Sequence, residues 1–230
     1  MAIPAARTAR TRETAGPTRT AAASGIVFAL LLTVSLVLVA QGPRLGDPDP
    51  VYQTFVTSGA STLMVTVGLY LVPFAGIAWL WHMTALRLLV QTRAPGTASS
   101  MPMSLHLAAG VLFVALLFAG TATAGGVALL GPFAGTTEVA PDVARALAGV
   151  GYTMVFVYGV RAAGMAVITT TRLVRRAGLL SGPLAVASYV LAAVLLLSTT
   201  FHPAILLVFP GWVLALSVLL LVRRPEGAHP

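Results

Sequence analysis

Six long apolar stretches, at about residues 24–41, 56–86, 104–130, 142–171, 184–200 and 204–222, run almost end to end along a chain of 230 residues. Only short, Arg-bearing connections lie between them, so no segment remains that could build a water-soluble core. A helix rises about 1.5 Å per residue, and a hydrocarbon layer about 30 Å thick takes roughly 20 apolar residues to cross. Backbone inside that layer must satisfy its own amides, and stretches this long do so as helices. The expected fold class is an all-α polytopic membrane bundle of six transmembrane helices. Hydrophobic periodicity adds little here, because lipid-facing and core-facing positions are both apolar; length and flanking residues decide. The stretch at 184–200 is the shortest of the six.

Composition agrees with that class. The chain is 57% hydrophobic and 9% charged, against roughly one-quarter charged residues in soluble domains; its mean hydropathy is +0.92. Cysteine is absent, which removes disulfides, thiolate metal sites and Cys nucleophiles together. The net charge of +8 comes from fourteen arginines and no lysine, against six acids. In a soluble chain that balance would suggest nucleic acid. Here the arginines flank apolar spans, so orientation and anionic lipid head groups account for them, and no nucleic-acid partner is expected. A Lys-free chain rich in Ala, Gly, Arg and Pro suits a GC-rich bacterial genome, and hence a bacterial plasma (inner) membrane.

Orientation follows from where the arginines fall. With the N-terminus in the cytoplasm, Arg7, Arg10, Arg12, Arg19, Arg87, Arg93, Arg172, Arg175, Arg176, Arg223 and Arg224 all lie inside, and only Arg44 and Arg145 outside. Short loops rich in Arg are retained on the cytoplasmic side. Four of the six acids, Asp47, Asp49, Glu138 and Asp142, fall outside. The expected organisation is a disordered Arg/Ala/Thr-rich cytoplasmic tail over 1–23, a six-helix domain over 24–222 and a short cytoplasmic tail over 223–230. Tail and first span together also read as a retained signal-anchor, the apolar run being long for a cleaved signal.

Arg161 is the sharpest functional candidate. It lies inside the fourth span, roughly 16 Å along the axis from Arg172, where a guanidinium costs at least about 2.5 kcal/mol. No Asp or Glu sits within a span to pair with it. Hydroxyls and carbonyls are its expected companions, Tyr158 one turn earlier among them; an anionic ligand or lipid head group would also suit it, and so would snorkelling to the inner interface. Pro73 and Pro210 interrupt spans two and six. Broken helices at matching positions of two repeats mark transporter sites, but span two would have to match span five, so simple kinks are expected. Small residues gather in span three (Gly120, Ala122, Ala124, Gly125, Gly126) and span four (Ala144, Ala148, Gly151, Gly159, Ala163). Such faces let helices approach closely, within the bundle or against another membrane subunit.

His82 and His106 fall at the facing ends of spans two and three. They are read as interfacial residues beside Trp79 and Trp81, with a bis-imidazole haem or metal as the sharper alternative. No HExxH, GxSxG or GxxxxGK[ST] motif and no intramembrane carboxylate pair is present, so neither a catalytic site nor a resident cofactor is expected. Proton-coupled transport also loses its usual acid.

The segments Tyr158-Gly-Val-Arg161-Ala-Ala-Gly-Met, Thr-Thr-Thr-Arg172, Arg176-Ala-Gly178-Leu and Phe209-Pro210-Gly-Trp212-Val-Leu with Ser217 resemble a family of uncharacterised bacterial six-span membrane proteins. The likeness covers the C-terminal third. It departs at 180–183, where Leu-Ser-Gly-Pro stands in place of a Leu-Pro-x-Trp opening. It implies the six-span fold and a site joining Arg161 to the Pro210–Trp212 segment, and it implies no activity. The function expected is a non-enzymatic accessory or lipid- and anion-interacting bundle, with Arg161, Tyr158, Pro210 and Trp212 as ligand candidates. A small-molecule or ion transporter or channel, and a haem-binding redox subunit, are the alternatives.

Overall fold

The computed structural model describes residues 4–57, 59–97, 100–130, 135, 139–200 and 202–222, and no strand occurs among them. The helices are α1 (Pro4–Val39), α2 (Asp49–Thr57), α3 (Gly59–Arg93), α4 (Met101–Gly125), α5 (Pro141–Tyr152), α6 (Val160–Arg176), α7 (Gly182–Leu197) and α8 (Ala204–Val222). A 3₁₀ turn, Gly126–Leu129, extends α4, and a π-helical turn, Thr153–Gly159, joins α5 to α6 without a break.

Local chemistry sets the ends. Prolines occupy the first turns of α4, α5 and α7, where their missing N–H costs nothing. Asp142 sits in the first turn of α5, against the positive end of the helix dipole. α6 stops at Gly178, whose φ of +71° is open to glycine without a Cβ penalty. There Gly178 N–H donates to the Arg175 carbonyl and Leu179 N–H to the Val174 carbonyl, both at 3.0 Å, the paired bonds of a Schellman cap. The buried Leu179 then packs beside Val174.

Among the described residues, five helical stretches are long and apolar enough to cross a membrane: Gly16–Val39, Thr62–Arg93, Met101–Leu129, Pro141–Arg176 and Ala204–Val222. α7 has 16 residues, about 24 Å, so the expected fifth span is shorter than the layer it was assigned to cross. The N-terminal boundary also moves. Residues expected to form a disordered tail are helical from Pro4, and Ala21 and Ala22 are fully buried among Leu86, Leu89, Leu216 and Leu220. Their small side chains let α1 pack tightly there, which composition alone does not reveal. Glu138, Arg223, Arg224 and the 223–230 tail lie outside the described residues.

α1 packs against α3 and α8, α4 lies between α3 and the α5–α6 helix, and α7 covers α6. The small-residue faces of α4 and α5 meet each other. A Cβ on Gly151 would collide with the Gly120 carbonyl oxygen, and one on Gly120 would lie 3.0 Å from the Gly151 carbonyl. At the centre, Phe28, Trp79, Phe113 and Phe209 contact one another with ring centroids 4.8–6.3 Å apart, mostly edge to face as ring quadrupoles prefer. The alternating course of the helices gives the bundle two unlike ends. One carries Arg19, Arg87, Arg93, Arg172, Arg175 and Arg176; the other carries Arg44 and Arg145 with Asp47, Asp49 and Asp142.

Candidate functional site

α7 ends short of its neighbours, and Arg161 is what receives that end. Arg161 Nη2 donates to the Ser198 carbonyl at 3.0 Å, while Nη1 donates to the carbonyls of Val157 at 2.7 Å and Phe156 at 3.3 Å. Residues 156 and 157 lie in the π-helical turn, where the Val160 N–H reaches back five residues to Val155. That turn shifts the normal backbone ladder, and the guanidinium fork serves the carbonyls it displaces. The turn after α7 satisfies itself locally: Thr200 N–H donates to Ser198 Oγ, His202 N–H to Thr200 Oγ1, and Ala204 N–H to His202 Nδ1. Non-helical backbone at membrane depth is tolerated only when its polar groups are met within the protein. Arg161 therefore holds a helix end. The expected carbonyl companions are present.

The other members of the expected site lie elsewhere. Tyr158 is 57% exposed on the bundle surface. Its position three residues before Arg161 suggested a shared face, but the Arg161 side chain folds back onto its own helix. Trp212 donates from Nε1 to Ser188 Oγ at 3.0 Å and stacks on Phe209. Ser188 precedes Ser198 by ten residues, about 15 Å along α7, so Arg161 and the Pro210–Trp212 segment are separated. Pro210 is buried within α8, while Pro73 faces outward from α3.

His82 and His106 are core residues, 0% and 1% exposed, rather than the interfacial pair expected. His82 Nδ1–H donates to the Ala21 carbonyl at 2.7 Å and its ring stacks on Trp79. His106 Nδ1 shares a 3.0 Å hydrogen bond with Thr170 Oγ1. The Nε2 atoms of both rings, with Thr171 Oγ1 and Ser217 Oγ, have no partner among the described residues. Macrocycle binding needs a slot between facing rings, whereas one edge of His82 is pressed onto α1. There a Cβ on Gly25 would collide with Ser217 Oγ and lie 2.6 Å from His82 Nδ1. The geometry does not fit haem between these helices. No group of three potential metal ligands occurs among the described residues.

A cavity that sequence reading did not anticipate lies at the acidic end of the bundle. It measures about 260 Å³ and is walled by α1 (Leu36, Val37, Ala40), α4 (Gly120, Thr121), the π-turn region (Tyr152, Phe156) and the start of α8 (Pro203, Leu207). It exists because the α7–α8 hairpin stops low and leaves the side of the longer helices uncovered. Val37 and Leu207 at its edge are exposed on the bundle surface. A second, smaller hollow shares Val39, Ala124 and Tyr152 with it and runs beneath α2, along Gly42, Pro43, Tyr52 and Phe55. The one legible signal was the shortness of the fifth apolar stretch.

α2 is strapped down by Arg145. The guanidinium bonds Asp49 at 2.7 Å, the Asp47 carbonyl at 3.1 Å and Asp142 at 3.1 Å, and lies over the Tyr52 ring 4.9 Å from its centroid. Tyr52 O–H donates to the Arg44 carbonyl at 2.9 Å. Burial pushes the Tyr52 phenol above its usual value, against the opposing pull of Arg145. Arg44 itself is exposed and forms no ion pair among the described residues.

No family model, curated protein or solved structure matches the chain.

Proposed function

We propose that this is a non-enzymatic multi-pass protein of the bacterial inner membrane, crossing six times with both termini in the cytoplasm, that holds a lipid hydrocarbon chain in its lateral cavity. The cavity carries the reading. A cavity of about 150 Å³ lined by apolar side chains is enough to bind benzene; this one, at about 260 Å³, opens where lipid chains are the surrounding solvent. Its lining is apolar apart from Thr121, Tyr152 and backbone, and Thr121 spends its hydroxyl on the Leu117 carbonyl. The lining holds no carboxylate, His, Lys or Cys to work with Tyr152 or Thr121 as an acid, base or nucleophile.

Orientation is supported by charge: Arg19, Arg87, Arg93, Arg172, Arg175 and Arg176 gather at one end and Arg44 and Arg145 at the other, with Asp47, Asp49 and Asp142 at the poorer end. The sixth crossing rests on α7, completed by the turn that Arg161 receives. Passage of a solute along the bundle axis is disfavoured by the Phe28–Trp79–Phe113–Phe209 cluster that fills it. Reconstitution with a lipid bearing a photoreactive group in its chain tests the proposal. Crosslinks should concentrate on residues 36–40, 152–156 and 203–207. An even spread over all lipid-facing surfaces would overturn it.

A further inference from the structure

We infer that the cavity selects an anionic phospholipid of the surrounding leaflet, with one chain inside and its phosphate at Arg44; this rests on the hydrocarbon-binding reading above and adds a head-group specificity to it. The two hollows abut, with Val39, Ala124 and Tyr152 in the walls of both. The larger ends at Val39 and Tyr152, and the smaller continues from those residues along Gly42 and Pro43 to the α1–α2 loop, where Arg44 follows directly. A lipid whose chain fills the larger hollow would emerge at this loop.

Of the two arginines at this end, only Arg44 has its charge to give. Arg145 is spent on Asp49, Asp142 and the Asp47 carbonyl. The nearby acid, Asp47, turns its carboxylate into the loop and accepts the Arg44 backbone N–H at 2.8 Å, so it fixes the loop without pairing with the guanidinium. Both backbone polar groups of Arg44 are thus tied, its carbonyl by Tyr52 and its N–H by Asp47, while the side chain stays exposed. The loop is ordered around an exposed cation that directly follows Gly42 and Pro43 of the smaller hollow's wall. That pairing of a held backbone with an unspent charge matches a phosphate above a hydrocarbon chain. A basic residue at an anionic membrane surface contributes about 1 kcal/mol, equivalent to about a fivefold change in affinity.

The test compares retention of phosphatidylglycerol and phosphatidylcholine with identical chains, by native mass spectrometry of the purified full-length protein. Wild type should retain one phosphatidylglycerol about fivefold better than phosphatidylcholine. Arg44→Gln should reduce that preference to near unity while still retaining either lipid. Arg93→Gln, which removes an exposed charge at the opposite end, should leave the preference intact. Equal retention of both lipids by wild type, or an equal loss of preference in Arg93→Gln and Arg44→Gln, would overturn the head-group inference and leave the hydrocarbon reading standing. Ala40→Trp, placed at the cavity edge, should abolish retention of both lipids. Wild-type retention by a folded Ala40→Trp would overturn both claims.

Discussion

Replacing Arg161 separates a structural guanidinium from a ligand site. Its three carbonyl contacts, two on its own helical run and one at the end of α7, together contribute about 2 to 5 kcal/mol at the about 0.6 to 1.7 kcal/mol of a polar side-chain contact in a membrane bundle. Arg161→Leu loses them but also removes the cost of inserting a guanidinium, at least about 2.5 kcal/mol. Global stability should therefore fall by no more than about 3 kcal/mol. The damage should be local, at the end of α7. Arg161→Lys is predicted to be the less stable of the two, because it keeps the buried charge and gives up the fork that reaches two helices. The natural absence of cysteine makes the assay direct: a single Thr199→Cys reports exposure of the turn to a thiol reagent. Labelling should accelerate in both variants, while lipid retention at the cavity stays unchanged. Unchanged labelling in Arg161→Leu, or an Arg161→Lys protein as stable as wild type, would refute this assignment.

Three further outcomes follow from the packing. Gly151→Ala should destabilise the bundle by about 1–3 kcal/mol, the usual cost of overpacking, since its methyl would meet the Gly120 carbonyl; a thermal unfolding shift in detergent measures it. Arg145→Gln should leave global stability nearly unchanged, as loss of exposed ion pairs does, yet speed limited proteolysis within residues 44–57 because the strap loses its latch. Burial favours the neutral Tyr52 phenol in the folded state. Its contribution is therefore complete below about pH 10 and is lost as pH rises through its raised value. A tyrosinate absorbance titration of wild type against Tyr52→Phe should show one late-titrating group, and no difference would contradict it.

Much of the fold was legible because hydrophobic length is a direct physical requirement of the bilayer. The last helix begins at Ala204, where its apolar run begins, and is helical through Val222, the last described residue. α3 runs past the apolar boundary at Leu86 to Arg93, because Leu89 and Val90 remain buried while Arg87, Gln91, Thr92 and Arg93 supply the polar positions. His82 was read as interfacial from its Trp neighbours, yet Trp79, His82, Met83 and Leu86 form one buried stripe of the helix. Such a stripe is invisible when the lipid face is equally apolar. Depth alone correctly marked Arg161 as needing carbonyls. That one of them belongs to Ser198, 37 residues away, depends on where α7 stops. The cavity is likewise a property of unequal helix lengths, and no residue motif announces it.

The central claim is that the short α7 completes a sixth crossing. A reporter that fluoresces only in the cytoplasm, fused after Pro230, decides it most directly. Six crossings predict bright fusions at the carboxyl end, paired with surface labelling of a Gly46→Cys variant in intact cells. A dark fusion that gains activity when replaced by a periplasm-dependent phosphatase would place the carboxyl end outside and contradict the account.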